Sequence, residues 1–160
     1  MLSKKFVLNF FIGCLFLVNL LSNHTLNFTK EEASMADKKW REKLTDDQYK
    51  VTRMCGTEPP FSGKYYKHNE NGIYNCICCN AELFSSSTKY DSGSGWPSFY
   101  DVVNDSAIIQ IKDESMGMVR IEIKCASCDS HLGHIFSDGP KPTGNRYCVN
   151  SLSLDFKAEK

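Results

Sequence analysis

Eight cysteines lie in a sequence of 160 residues, and their spacing sorts them into groups with different chemistry open to them. Cys76-Ile77-Cys78-Cys79 holds one C-x-x-C pair, Cys76 with Cys79, and Cys125-Ala126-Ser127-Cys128 supplies a second after 45 intervening residues. Two such knuckles bring four thiolates to one tetrahedral Zn2+. The competing reading is a disulfide framework in a secreted protein. Zinc is preferred, because two C-x-x-C knuckles rarely bridge to each other without strain and the remaining cysteines form a coherent set. Spacing alone selects Cys79 over Cys78. Four thiolates close the coordination shell and leave no place for water, so this metal is expected to be structural.

With Cys14 near the N-terminus set aside, Cys55, Cys78 and Cys148 remain. Cys148 sits in Arg146-Tyr147-Cys148-Val149-Asn150, and if an extended period of two runs through it, Arg146, Cys148 and Asn150 share a face. A guanidinium on that face favours thiolate over thiol and makes the sulfur a nucleophile. A lone cysteine is more often a small buried core residue, but polar neighbours on both sides weigh toward chemistry. His131-Leu132-Gly133-His134 follows Cys128 closely. Read by themselves, these imidazoles are equally well surface groups or parts of a site. Trp96, in Gly93-Ser94-Gly95-Trp96-Pro97-Ser98-Phe99, lies in a glycine-rich loop that could present an indole to a ligand, although an aromatic there more often joins the core.

The elements that must position these groups are mainly strands. Val119, Ile121 and Ile123 alternate with Arg120, Glu122 and Lys124, Ala107 to Ile111 reads as extended, and Leu152, Leu154 and Phe156 alternate with polar residues. Turn residues punctuate the chain at Asn71-Gly72, Asp91-Ser92-Gly93 and Asp138-Gly139-Pro140. No helical crossovers separate the strands, which disfavours a parallel α/β sheet. The expectation is a mainly β domain of two antiparallel sheets forming a small barrel-like body. One short helix precedes it: Thr45 and Gln48 have capping-box spacing, so a helix runs from Asp46 to about Arg53 and Gly56 ends it.

Nineteen basic and nineteen acidic residues balance, which argues against a nucleic-acid surface and against an acidic tail. A hydrophobic content of 41% supports a packed core rather than disorder. Many of those apolar residues crowd between Phe6 and Leu21, behind Lys4 and Lys5. This is the pattern of a secretory signal, cleaved or kept as an anchor. Residues 1–22 are accordingly read as that segment, 23–39 as a polar linker and 40–160 as the domain. The implied address is the secretory pathway or endoplasmic reticulum. The alternatives are mitochondria, or the cytoplasm if translation begins at Met35. Asn23, Asn27 and Asn104 open glycosylation sequons, which matter only on the secretory route.

Taken together, the motifs resemble the B-type methionine sulfoxide reductases, which act on methionine-R-sulfoxide. The resemblance runs from about Leu44 to Phe156 through Val51–Phe61, Ser92–Phe99, His131–Phe136, Asp138–Pro140 and Arg146–Ser151, in order. It implies Cys148 as nucleophile, Trp96 holding the substrate methyl, and His131, His134 and Asn150 binding the sulfoxide end. It also implies Arg146 supporting the thiolate, with Phe136 and Asp138 lining or bracing the site. Many relatives carry a resolving cysteine where this chain has Ser94. Cys55 is the natural substitute, as in another subset of the family, with Cys78 the weaker candidate. Direct attack of a reductant on the sulfenic acid is the alternative. The expected partners are free or protein-bound methionine sulfoxide and thioredoxin or a similar reductant, acting on a monomer. The reading from a different class is a zinc-stabilised β module that binds a partner without chemistry.

Overall fold

The structure is a computed structural model that describes residue 35 and residues 37–159. The apolar N-terminal segment read as a signal therefore lies outside the described residues. No helix among those described is long and apolar enough to cross a membrane. The chain divides into two units, Met1–Glu42 and Lys43–Lys160. In the first, residues 37–42 are helical, with Asp37 accepting from Arg41 at 2.9 Å one turn on. This helix was not expected from the sequence.

In the second unit, helix α1 spans Asp46–Arg53 and starts at the expected capping box. Gln48 N–H donates to Thr45 Oγ1 at 3.2 Å, and Thr45 N–H donates to Gln48 Oε1 at 3.0 Å. Asp46 and Asp47 at its first turn and Lys50 and Arg53 at its last complement the helix dipole. The helix ends as expected, but the residue that turns left-handed is Cys55, at φ 53°, not Gly56.

Nine strands follow: β1 Gly72–Cys76, β2 Glu82–Ser85, β3 Lys89–Tyr90, β4 Ser98–Phe99, β5 Ile108–Asp113, β6 Arg120–Cys125, β7 His131–Phe136, β8 Arg146–Val149 and β9 Leu154–Ala158. They build two antiparallel sheets, β2-β1-β9 and β3-β4-β8-β7-β6-β5. Neither closes, so the barrel-like expectation is corrected. Closure needs the two outer strands to share a ladder. Here β3 is two residues long, and β5 is exposed along most of its length.

Aromatic rings join the sheets. Tyr74 and Phe84 of the small sheet meet Phe99 of the large one at ring distances of 5.1 and 4.5 Å, and Phe84 reaches Tyr147 at 5.8 Å. Tyr74, Phe84 and Phe99 are fully buried. Each such side chain contributes about 1.5–3 kcal/mol by leaving water.

Two strand expectations need revision. On β6 the alternation is present, but only Ile123 of the apolar set is buried; Val119 is 73% exposed. The polar set, Arg120, Glu122 and Lys124, is the half-buried one, because it faces the groups described below. At the C-terminus, Leu152 belongs to a single 3-10 turn, Ser151–Ser153, and not to β9. That turn carries the chain from the large sheet to the small. Ser153 Oγ–H holds it by donating to the His131 carbonyl at 2.8 Å.

Candidate active site

Strand β8 puts Tyr147 and Val149 into the core and leaves Arg146 and Cys148 half-exposed on the other face. Cys148 lies between two neighbours in register, Ser98 on β4 and His134 on β7. Gly133, next to His134, permits the close strand approach: a Cβ there would sit 2.0 Å from the Cys148 carbonyl oxygen.

Cys148 opens onto a cleft of about 120 Å³, lined also by Thr57, Trp96, Arg120, Gly133, His134, Phe136, Val149 and Asn150. Trp96 is half-buried and lines this cleft, so it is not a core aromatic. Its Nε1–H donates to the Glu58 carbonyl at 3.0 Å, which fixes the indole. The left-handed Gly95 before it lies against Pro60 and Phe61, where a Cβ would come within 2.8 Å of Pro60. One wall of the cleft is thus aromatic, Trp96 and Phe136, and the other polar. A larger cleft of about 870 Å³ beside α1 contains none of the candidate catalytic, substrate-binding or metal residues read from the sequence.

The sulfur's acidity is set by opposing influences. Burial pushes the Cys148 thiol up; the Ser94 hydroxyl, 3.9 Å from Sγ, and the Arg146 guanidinium pull it down. Burial is the larger. The simple expectation that Arg146 makes a ready thiolate is therefore incomplete, since the cleft that excludes water also removes solvation from the anion. Arg146 is also committed elsewhere. Its Nε and one Nη donate to the two Asp138 oxygens at 2.8 and 2.9 Å, and it stacks 4.4 Å over the Phe136 ring. Asp138 is exposed and grips Arg146 through this fork, while its negative charge also pushes the Cys148 thiol up.

The two histidines part company. His134 lines the cleft, and its Nε2 is 2.9 Å from Asp113 Oδ2, which also accepts from Arg120 at 2.7 Å. His131 is 2% exposed and does not line the cleft. Its Nδ1 lies 2.6 Å from Glu122 Oε1, its Nε2 has no hydrogen-bond partner among the described residues, and burial pulls its pKa down. Cys55 joins this pair: one ligand atom each from Cys55, Glu122 and His131 lie within 4.8 Å of one another. The two rings remain neighbours, 5.7 Å apart. Asn150 borders the cleft, but both ends of its amide serve the backbone, accepting from Glu58 N–H at 3.1 Å and donating to the Leu132 carbonyl at 3.1 Å.

Sequence reasoning missed Arg120, Asp113, Glu122, Thr57 and Glu58. Arg120 and Glu122 occupy the polar face of β6, where alternation marks a face without saying that it is covered, and Asp113 ends β5 on the side of Ile109 and Ile111, where no polar pattern announces it. Glu58 lies in the Val51–Phe61 motif, but nothing in the sequence gave its carboxylate a role. It is 4% exposed, and its carboxylate accepts the backbone N–H of Ser151 at 2.6 Å and of Leu152 at 3.0 Å.

Away from the cleft, Cys76, Cys79, Cys125 and Cys128 form one cluster with all four sulfurs within 4.8 Å of one another. Cys76 lies 3.7 Å from Cys128, and Cys79 lies 3.6 Å from Cys125. Both knuckles are made alike. Cys76 ends β1, Cys125 ends β6, and four residues on, Asn80 and Asp129 turn left-handed at φ 64° and 55°. Short polar side chains are the ones that tolerate this conformation. Sulfur–sulfur hydrogen bonds drive the thiols apart in acidity, Cys125 down through Cys128 and Cys76 up through Cys125. Cys78 is not one of these four but borders them: its thiol interacts with those of Cys128 and Cys76, and its Sγ donates to Ser130 Oγ at 3.5 Å. The donor set, spacing and burial fit a four-coordinate soft cation.

Comparison with known sequences gives a consistent picture. The model of the SelR domain family matches residues 44–158. The peptide methionine sulfoxide reductase MsrB of Thioalkalivibrio sulfidiphilus is 61% identical over 124 residues, 78% of this chain and 90% of that protein. That of a Synechococcus species is 62% identical over 126 residues, 79% of this chain and 91% of the relative. That of Pseudomonas putida is 58% identical over 118 residues, 74% and 90% of the two chains.

Proposed function

The chain belongs to the SelR-domain family of peptide methionine sulfoxide reductases, and from that membership we propose that it reduces methionine-R-sulfoxide to methionine through Cys148. It is a thiol-dependent oxidoreductase. The observation that carries the assignment of Cys148 is its place in a small cleft with an aromatic wall and a polar one. Trp96 and Phe136 suit the S-methyl group, and His134 suits the sulfoxide oxygen.

Cys148 sulfur attacks the sulfoxide sulfur. The oxygen of this adduct then moves to the Cys148 sulfur as the new sulfur–sulfur bond and the substrate S–O bond break, so that methionine leaves reduced by two electrons and Cys148 is oxidised by two to a sulfenic acid. His134, oriented by Asp113, passes a proton to the departing oxygen. Cys55 then displaces that oxygen as water and forms a Cys55–Cys148 disulfide, which a thioredoxin-type dithiol reduces by exchange. Left-handed and exposed at the end of α1, Cys55 is accessible to such a partner. Arg146 steadies the Cys148 thiolate, and Asp138 steadies Arg146.

A Zn2+ held by Cys76, Cys79, Cys125 and Cys128 would supply structure and no step of the reaction. For the N-terminal segment we propose delivery to the secretory pathway, on the basic flank and apolar run alone. A fusion of residues 1–39 to a reporter tests it, and cytosolic retention refutes it.

Cys148→Ser is expected to abolish reduction of a methionine-R-sulfoxide substrate with the fold intact by circular dichroism. Residual activity would move the nucleophile elsewhere. Cys55→Ser is expected to complete one turnover and then stop under thioredoxin. Peptide mass spectrometry after one equivalent of substrate without reductant reads the disulfide directly.

A further inference from the structure

Cys55, Glu122 and His131 bring three kinds of metal donor together outside the four-cysteine cluster, with one donor atom each within a 4.8 Å span. We propose that they form a second cation site, taking a borderline-soft divalent ion such as Zn2+ through one thiolate, one carboxylate and one imidazole.

The chemistry of the donors suits such an ion. Thiolate, imidazole and carboxylate are all zinc ligands, and three protein ligands leave a fourth position for water. Two anionic donors, Glu122 and the Cys55 thiolate, balance a dication. Burial pulls His131 toward the neutral form that ligation requires, against the Glu122 carboxylate, which favours the charged ring. His131 is 2% exposed and meets Glu122 through Nδ1 at 2.6 Å, while its Nε2 has no hydrogen-bond partner among the described residues. Nδ1 is thus the nitrogen on the Glu122 side, and Nε2 is free to carry the ring proton while Nδ1 ligates. Cys55 is exposed and gives the ion a way in. On binding, the Cys55 S–H proton leaves to solvent, the His131 proton shared with Glu122 moves to Nε2 so that the neutral ring ligates through Nδ1, and no electrons move.

Two features oppose binding and set its strength. Burial and the Glu122 carboxylate push the Cys55 thiol up, away from the thiolate. Lys124 Nζ lies 3.6 Å from Glu122 Oε2 and competes with the ion for the carboxylate. The site is therefore weaker than four thiolates, filling when the ion is abundant and emptying when it is scarce. Occupation would withhold Cys55. If Cys55 resolves the sulfenic acid, as in the function proposed above, the ion arrests thioredoxin-supported cycling after the first turnover.

The test uses the zinc-loaded chain titrated with Co2+. The expected result is a further equivalent of Co2+ with sulfur-to-metal charge transfer from a single thiolate. That band should be absent in Cys55→Ala, and the affinity lowered about tenfold or more in Glu122→Gln. Lys124→Met should tighten binding. On the unsubstituted chain, Zn2+ should slow alkylation of Cys55, read by peptide mass spectrometry, and leave Cys148 labelling unchanged. A Co2+ spectrum identical in the unsubstituted chain and Cys55→Ala, or protection of Cys148 in place of Cys55, would overturn the site. If Zn2+ protects Cys55 while cycling continues undiminished, the cation site stands and the resolving role of Cys55 falls.

Discussion

At the level of single residues, Cys148 presents a conflict between access and acidity. A sulfur sunk in a cleft meets its substrate without water, yet the same burial raises its pKa. Ser94 and Arg146 are the counterweights, one a hydroxyl near Sγ, the other a positive charge. Arg146→Met is expected to raise the Cys148 pKa further, because removing a cation disfavours the thiolate. The rate of Cys148 alkylation, followed against pH, should then need more alkaline solution to reach its plateau, and reduction near neutral pH should slow. An unshifted profile would assign Arg146 to Asp138 alone. His134 is governed from a distance in sequence, through Asp113 at 2.9 Å. Asp113→Asn should lower turnover more than it weakens substrate binding, a split visible as a fall in kcat with KM little changed.

At the level of elements, the short stretch after α1 joins the two halves of the site. Cys55 lies at its start. Three residues on, Glu58 ties the stretch to the C-terminal 3-10 turn and, through its backbone, to Trp96 and Asn150. One buried carboxylate thus aligns the segment bearing Cys55 with the strand end bearing Cys148. Glu58→Ala leaves two backbone amides unpaired and is expected to cost about 1–3 kcal/mol, read from the urea midpoint. The function of β8 was legible because a period of two fixes which side chains share a face, whatever the strand packs against. The polar face of β6 was legible as a face only. That it turns Glu122 toward His131 depends on β7 lying beside it, and no local pattern carries that information.

Across the whole domain, the cysteine cluster explains its own long spacer. Cys76 ends a strand of the small sheet and Cys125 a strand of the large one, so the four thiols clasp the two sheets at one end while Tyr74, Phe84, Phe99 and Tyr147 fill the space between them. Arg53 adds the helix to this clasp by donating to the Cys128 carbonyl at 2.8 Å. Cys76→Ser, or prolonged chelation, is expected to lower the thermal midpoint and release metal, measured together by scanning calorimetry and metal analysis. A midpoint unchanged after metal removal would argue that ring packing alone holds the sheets.

The sequence by itself determined what depends on short spacing: two thiol knuckles, the capped helix, the shared face of Arg146 and Cys148, and the order of motifs that marks the family. Tertiary structure alone decided what depends on contacts between distant strands. It left the sheets open, because their outer strands are too short or too exposed to pair. It gave His134 to the cleft and His131 to Glu122 and Cys55, although the two lie three positions apart on one strand. It turned a solitary Glu58 into the bond between two segments of the site. Chain-local geometry fixes which residues point together, but burial, and with it acidity and partnership, is fixed only when remote segments close over them.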